Sequence, residues 1–133
     1  MTKIFCDIAD LALIKKFNKK NIVNGFTTNP SLMRQARAKD YEEYSKKILK
    51  VTNKPVSLEV FSDSINGMIT QGEIISKWGK NVYVKVPITN SKGFFTGRAI
   101  KNLNKKNIKL NITAVYTSTQ TNQILKIINR KSK

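Results

Sequence analysis

The sequence contains no histidine and only one cysteine, Cys6. Missing histidine removes a common metal ligand, and no cluster of other ligand-type residues shows metal-site spacing. A lone cysteine excludes a disulfide framework within the chain. Because Cys6 lies in the apolar run Ile4–Ile8, it reads as a buried structural thiol. There is no basic-then-apolar N-terminal segment of the signal-peptide kind, and no apolar run approaches the roughly 18–20 residues that span a bilayer. A cytoplasmic chain with no membrane partner is the expectation. Acidic residues are also scarce, 8 against 25 Lys and Arg, for a net charge of +17. That excess raises nucleic acid or another polyanion as a partner. The lysines, however, come as scattered pairs (Lys15-Lys16, Lys19-Lys20, Lys46-Lys47, Lys105-Lys106) on the polar side of helical patterns. Aromatic stacking platforms and a concentrated basic segment are missing, so no nucleic acid is expected and a basic nucleic-acid binder is the weakest alternative. No repeat, low-complexity linker or domain boundary interrupts the 133 residues, which suit one core and one domain.

What the sequence does have is an alternation of short strand-like runs with longer helix-like ones. Strands are expected over Lys3–Ile8, Gly25–Thr28, Val56–Val60, Asn81–Val86 and Ile108–Thr113. Between them, Leu11, Ile14 and Phe17 mark a helix over about 10–19, and Tyr41, Tyr44, Ile48 and Val51 mark another. Asp40 followed by Glu43 predicts a capping box for the latter. A third helix follows Asp63, with Ile65, Met68, Ile69, Ile75 and Trp78 as its buried stripe. Others are expected from about Lys92 to Leu103 and from about Ser118 to Asn129. This order favours parallel strands joined by helical crossovers.

Strand four sets Val82, Val84 and Val86 against Tyr83, Lys85 and Pro87. Strand five sets Ile108, Leu110 and Ile112 against Lys109, Asn111 and Thr113, and strand three sets Val56, Leu58 and Val60 against Ser57 and Glu59. In strand one Ile4, Cys6 and Ile8 oppose Phe5 and Asp7. The aliphatic faces suit a helix layer, and the polar groups gather toward the C-terminal strand ends, where a (β/α) barrel builds its active site. Antiparallel sheets also alternate, but through hairpins that this spacing lacks. The fold class predicted is α/β, of barrel type.

Lys85 stands between two valines of an otherwise apolar strand. Two readings are open. As an edge residue it reaches solvent and discourages sheet-to-sheet pairing. Inside a barrel it sheds hydration, which favours the neutral amine that attacks a carbonyl. The other strand ends would bring Asp7, Asn29, Glu59, Asn111 and Thr113 to the same mouth: two carboxylates and three neutral hydrogen-bonding groups beside one amine. Imine chemistry needs such a set, because protons must move through water as the carbinolamine dehydrates and again as the carbon–carbon bond breaks. Singly, each group has a plainer use. Asp7 can start a turn or cap a helix, Asn29-Pro30 is a common turn opener, and Glu59 can pair with a lysine.

Five segments in order, Ile4-Phe5-Cys6-Asp7-Ile8-Ala9-Asp10, Gly25-Phe26-Thr27-Thr28-Asn29-Pro30-Ser31-Leu32, Val56-Ser57-Leu58-Glu59-Val60, Val82-Tyr83-Val84-Lys85-Val86-Pro87 and Asn111-Ile112-Thr113, resemble the transaldolase family of class I aldolases. Its short, fructose-6-phosphate aldolase-like branch is nearest in length and spacing. The resemblance implies that Lys85 forms a Schiff base with the C2 carbonyl of a ketose and that Asp7 takes the C4 hydroxyl proton. It implies that Glu59 and Thr113 hold the water of proton transfer, and that Asn29, Asn111 and Thr27 line the site of the dihydroxyacetone unit. Glu rather than Gln at position 59 is more similar to a transaldolase. No cofactor or metal is implied, and the partner implied is a small sugar phosphate of carbohydrate metabolism.

The resemblance also implies a partial (β/α)8 TIM barrel, residues 1–133 forming its N-terminal part with about the first five βα units. A closed barrel usually takes about 250 residues. The family's later strands supply its phosphate-binding serine and arginine, and Arg130-Lys131-Ser132-Lys133 falls where the loop into strand six is expected. An open five-stranded sheet has two unpaired edges, so a homo-oligomer is one expectation. A catalytically inactive remnant that binds or oligomerises is the alternative to an active aldolase.

Overall fold

The structure, a computed structural model, describes residues 2–128. The strands are β1 (Ile4–Asp7), β2 (Val23–Thr27), β3 (Val56–Glu59), β4 (Val82–Pro87) and β5 (Leu110–Thr113). The helices are α1 (Leu11–Asn18), α2 (Pro30–Gln35), α3 (Tyr41–Val51), α4 (Ile65–Ser76), α5 (Gly97–Lys105) and α6 (Ser118–Ile127). The pairings β1–β2, β2–β3 and β4–β5 are parallel, and the strands follow one another in chain order. Strand then helix, repeated with sequential parallel strands, is the connectivity of a partial (β/α)8 barrel and of the α/β class.

The chain divides into two compact units. One holds the chain up to Glu59 together with Lys77–Tyr83, and the other holds Val60–Ser76 and the chain from Val84 onward. In the first, Ile14, Val23, Phe26, Met33, Ile48, Val56 and Leu58 are buried. In the second, Met68, Ile75, Val84, Val86, Ile88, Ile100 and Leu103 are buried. Each such side chain contributes about 1.5–3 kcal/mol on leaving water. Val82, Val84 and Val86 of β4 are buried while Tyr83, Lys85 and Pro87 are half-buried, the period-two pattern expected of the sequence.

Local chemistry sets the helix starts. Asp10 Oδ1 accepts from Leu13 N at 2.8 Å, and Asp40 Oδ1 accepts from Glu43 N at 2.6 Å. At α6, Thr117 and Gln120 form a reciprocal capping box. Near the N-terminal strand ends of the first unit, Asn81 Nδ2 donates to Thr52 O and Lys54 O, and Lys54 Nζ donates to Asn18 O and Lys20 O. These bonds give further donors to carbonyls at the end of α1 and in the connections that enter β2 and β3.

Several expectations need correction. Helix α2 was not foreseen: Asn29 caps it and Pro30 occupies its first turn, so the apparent turn opener is a helix start. The helix expected from Lys92 begins at Gly97 instead. Gly93 adopts φ 80°, and Asn90 Oδ1 accepts from Lys92 N and Phe94 N, which holds this stretch as a turn. Trp78 lies beyond α4 and packs on Tyr41, with ring centroids 5.9 Å apart. Cys6 is half-buried rather than buried, and Ile4 is 43 % exposed, because β1 is paired along its β2 edge and little covers its faces. The expected last helix ends at Ile127 within the described residues, and Asn129 and Arg130-Lys131-Ser132-Lys133 lie outside them.

Candidate functional site

In the first unit, β1 and β2 run in register with Asp7 opposite Thr27. Thr27 Oγ1 donates to Asp7 Oδ1 at 2.5 Å, so the carboxylate is held by its strand neighbour and does not cap α1, the task Asp10 performs. Thr27 is in turn the register partner of Ser57 in β3, which places Asp7, Thr27, Ser57 and, two residues on, Glu59 along one face. Asp7 is exposed, Thr27 and Glu59 are half-buried and Ser57 is buried. Asn29 ends this row differently: its Oδ1 accepts from Leu32 N at 2.9 Å. The amide end, Nδ2, is the part of Asn29 suited to donating to a hydroxyl.

Glu59 has a further neighbour that sequence reasoning assigned only to a helix stripe. The hydroxyl of Tyr41, the first residue of α3, accepts from Glu59 N at 2.9 Å and donates to Glu59 O at 3.0 Å. Burial pushes the Tyr41 phenol above its ordinary range. The Glu59 charge adds to the rise, against hydrogen bonding from the Glu59 backbone and the Thr28 side chain. A signal was present in the sequence only as a tyrosine at a helix start, which says nothing of a strand residue 18 positions away.

In the second unit, β4 and β5 pair with Lys85 opposite Asn111 and Pro87 opposite Thr113. Lys85, Asn111 and Thr113 therefore share the face of the β4–β5 pair away from Val84 and Val86, and all three are half-buried. Ala114, directly after Thr113, holds φ 59°, a left-handed conformation that costs a residue with a Cβ about 1–2 kcal/mol. The loops beyond β3 and β4 are tied together, since Ser91 N and Oγ both donate to the Asp63 carboxylate at 2.7 and 2.8 Å. These bonds hold the Asp63 carboxyl below its usual range.

The sequence-derived residues thus fall into two sets. Asp7, Thr27, Asn29 and Glu59 line the C-terminal ends of β1, β2 and β3, while Lys85, Asn111 and Thr113 line those of β4 and β5. The first set offers a held carboxylate, a second carboxyl and hydrogen-bonding groups. The second offers an amine beside a carboxamide and a hydroxyl. Among the described residues, no three His, Cys, Asp or Glu side chains gather in a group that could hold a metal ion. No described helix is long and apolar enough to cross a membrane.

Residues 4–131 match the family model described as transaldolase/fructose-6-phosphate aldolase. The chain is 36% identical over 125 residues to a probable transaldolase of Sulfurihydrogenibium sp., covering 94% of this chain and 56% of that protein. It is 40% identical over 118 residues to a probable transaldolase of Nitrosopumilus maritimus, covering 89% and 51% respectively. A probable transaldolase of Streptococcus agalactiae is 36% identical over 118 residues, covering 89% of this chain and 53% of that protein. The chain spans about half the length of these curated relatives.

Proposed function

Since the chain belongs to the transaldolase/fructose-6-phosphate aldolase family, we propose that it carries out class I aldolase chemistry on a ketose or ketose phosphate through a Schiff base on Lys85. The observation that carries this reading is the placement of Lys85. It is half-buried on the face of β4 opposite its buried valines and in register with the carboxamide of Asn111. An amine so placed exchanges part of its hydration for protein dipoles, the setting that suits a carbonyl nucleophile.

Neutral Lys85 Nζ adds to C2 of the ketose, and the carbonyl oxygen takes up a proton to give a carbinolamine. Loss of water gives a protonated imine, with Glu59 and Thr113 holding the water that carries protons in this step. The imine is an electron sink: the C3–C4 bond breaks toward it, Asp7 accepts the C4 hydroxyl proton, and an aldehyde leaves. A three-carbon enamine remains on Lys85. It either attacks an acceptor aldehyde, which makes the reaction a transfer, or takes a proton at C3 and is hydrolysed, which makes it a cleavage. Asn29 Nδ2 and Asn111 hydrogen-bond the hydroxyls of the three-carbon unit, and Thr27 keeps Asp7 aimed. The carboxyl at position 59 favours the transfer reading. The proposed partner is a small sugar phosphate, handled within carbohydrate metabolism in the cytoplasm.

Release of a three-carbon aldehyde from fructose 6-phosphate, followed with and without an added aldehyde acceptor, tests this reading. Stimulation by the acceptor supports transfer, and release without it supports cleavage. Unchanged release after Asp7→Asn and Lys85→Ala would refute both role assignments.

A further inference from the structure

The bonds between Tyr41 and Glu59 follow from a gap in the β2–β3 ladder. Phe26 N donates to Pro55 O at 2.8 Å and Thr28 N donates to Ser57 O at 3.0 Å. In a parallel ladder the donors step by two residues along each strand. The next donor from the β2 side is therefore residue 30, and its target is the carbonyl of Glu59. Residue 30 is proline, which has no N–H. At the same point the chain leaves the sheet, because Asn29 caps α2 and Pro30 occupies its first turn. Glu59 O would thus lack a donor from β2 where the residue is half-buried and water is partly excluded. The Tyr41 hydroxyl fills the place from α3, donating to Glu59 O and accepting from Glu59 N.

We propose that Tyr41 is a positioning residue for Glu59, its single phenol replacing the strand neighbour that β2 stops supplying at Pro30. The proposal rests on the reading of Glu59 as a group that handles protons during imine formation. On the other side of β3 the chain stays paired past Glu59, since Val60 N donates to Lys85 O at 3.1 Å, and on the β2 side the Tyr41 hydroxyl holds both peptide groups of Glu59. A displacement of about 1 Å at a reacting group can cost a hundredfold in rate. The ring of Trp78 packs against that of Tyr41, tilted 54° to it. Bulk packing and hydrogen bonding therefore reside in separate residues, which lets them be tested separately.

The experiment measures two things on the whole chain: amide hydrogen exchange at Glu59, and the rate and pH profile of borohydride-trappable adduct formation with dihydroxyacetone. The variants are Tyr41→Phe, Glu59→Gln, the double variant and Trp78→Leu. Tyr41→Phe is expected to speed exchange at the Glu59 amide, to slow trapping by about ten- to a hundredfold and to alter its pH profile. In the Glu59→Gln background it should add little further slowing. Trp78→Leu should lower stability while keeping the pH profile. Additive effects of Tyr41→Phe and Glu59→Gln, an unchanged Glu59 amide, or equal slowing by Trp78→Leu would each overturn the positioning role. If Tyr41→Phe does not fold, 3-fluorotyrosine at position 41 alters the same two bonds without removing the ring, and an unchanged trapping profile then overturns the role. Absence of any adduct on the folded wild-type chain overturns the Schiff-base reading, and the role of Tyr41 in catalysis with it. An adduct with no Tyr41 dependence overturns the positioning role alone.

Discussion

Thr27 and Asp7 face each other across the β1–β2 pair, and the threonine hydroxyl donates to the aspartate carboxylate at 2.5 Å. Asp7 is otherwise exposed at the end of an edge strand. A carboxylate there has many rotamers available, and the threonine selects one. Thr27→Val keeps the shape and removes the donor. Aldehyde release from fructose 6-phosphate should slow by about ten- to a hundredfold, in keeping with loss of one hydrogen bond to a charged group at about 1.5–3 kcal/mol. The melting temperature should move little. Wild-type kinetics in Thr27→Val would mean that Asp7 needs no such help.

Gly25 allows β1 to approach β2. A Cβ at this position would overlap the Phe5 ring and stand 2.7 Å from Pro55 O. The carbonyl belongs to the backbone entering β3 and cannot rotate away. Gly25→Ala is expected to destabilise the fold by about 1–3 kcal/mol, the usual cost of overpacking. Urea denaturation checks it, and an unchanged midpoint would show that β1 can shift freely.

Ser45 is fully buried in α3, and its hydroxyl finds no hydrogen-bond partner among the described residues. An unsatisfied buried hydroxyl costs about 1–3 kcal/mol, and alanine is the better helix former. Ser45→Ala should therefore be neutral or stabilising by up to about 1 kcal/mol. A clear loss of stability in thermal unfolding would reveal a partner for the hydroxyl.

Burial holds the Tyr41 phenol above its ordinary range. The unfolded phenol loses its proton near pH 10, while the folded one keeps it. Protonated Tyr41 therefore contributes stability that is fully present below about pH 10 and is lost as pH rises through the folded value. The stability difference between wild type and Tyr41→Phe should stay constant up to about pH 9 and shrink as pH rises beyond about 10, toward the raised folded value. Denaturation at a series of pH values measures it, and a difference independent of pH would place the phenol in contact with water.

The period-two faces of β4 were legible because Val82, Val84 and Val86 alternate with larger or polar residues, and burial follows that alternation directly. The start of α3 was legible for a similar reason, since Asp40 caps it within one turn, but the expected capping box is only half formed: the Glu43 carboxylate pairs with Lys47 at 2.7 Å instead of returning to Asp40. Asn29-Pro30 was ambiguous, since the same dipeptide opens turns and helices, and only the residues that follow decide. The start of α5 was misread because Gly93 and Asn90 stabilise a turn through side-chain bonds that compete with helix formation. Asp7, Glu59, Lys85 and Asn111 could be placed at or near C-terminal strand ends from the sequence alone, and the structure has them in β1, β3, β4 and β5. The bonds that organise Asp7 and Glu59 could not, because Thr27 lies 20 residues from Asp7 and Tyr41 lies 18 from Glu59. Pairings at that separation are set by strand register and helix docking rather than by local pattern.

Imine formation on Lys85 is read out directly by peptide-resolved mass spectrometry of the wild-type chain and Lys85→Ala after incubation with fructose 6-phosphate or dihydroxyacetone and reduction with borohydride, with circular dichroism to establish that both are folded. A reduced three-carbon adduct is expected on the peptide containing Lys85 in the wild-type chain and none in the variant. Equal capture by the two proteins, or an adduct carried by another lysine, would contradict it.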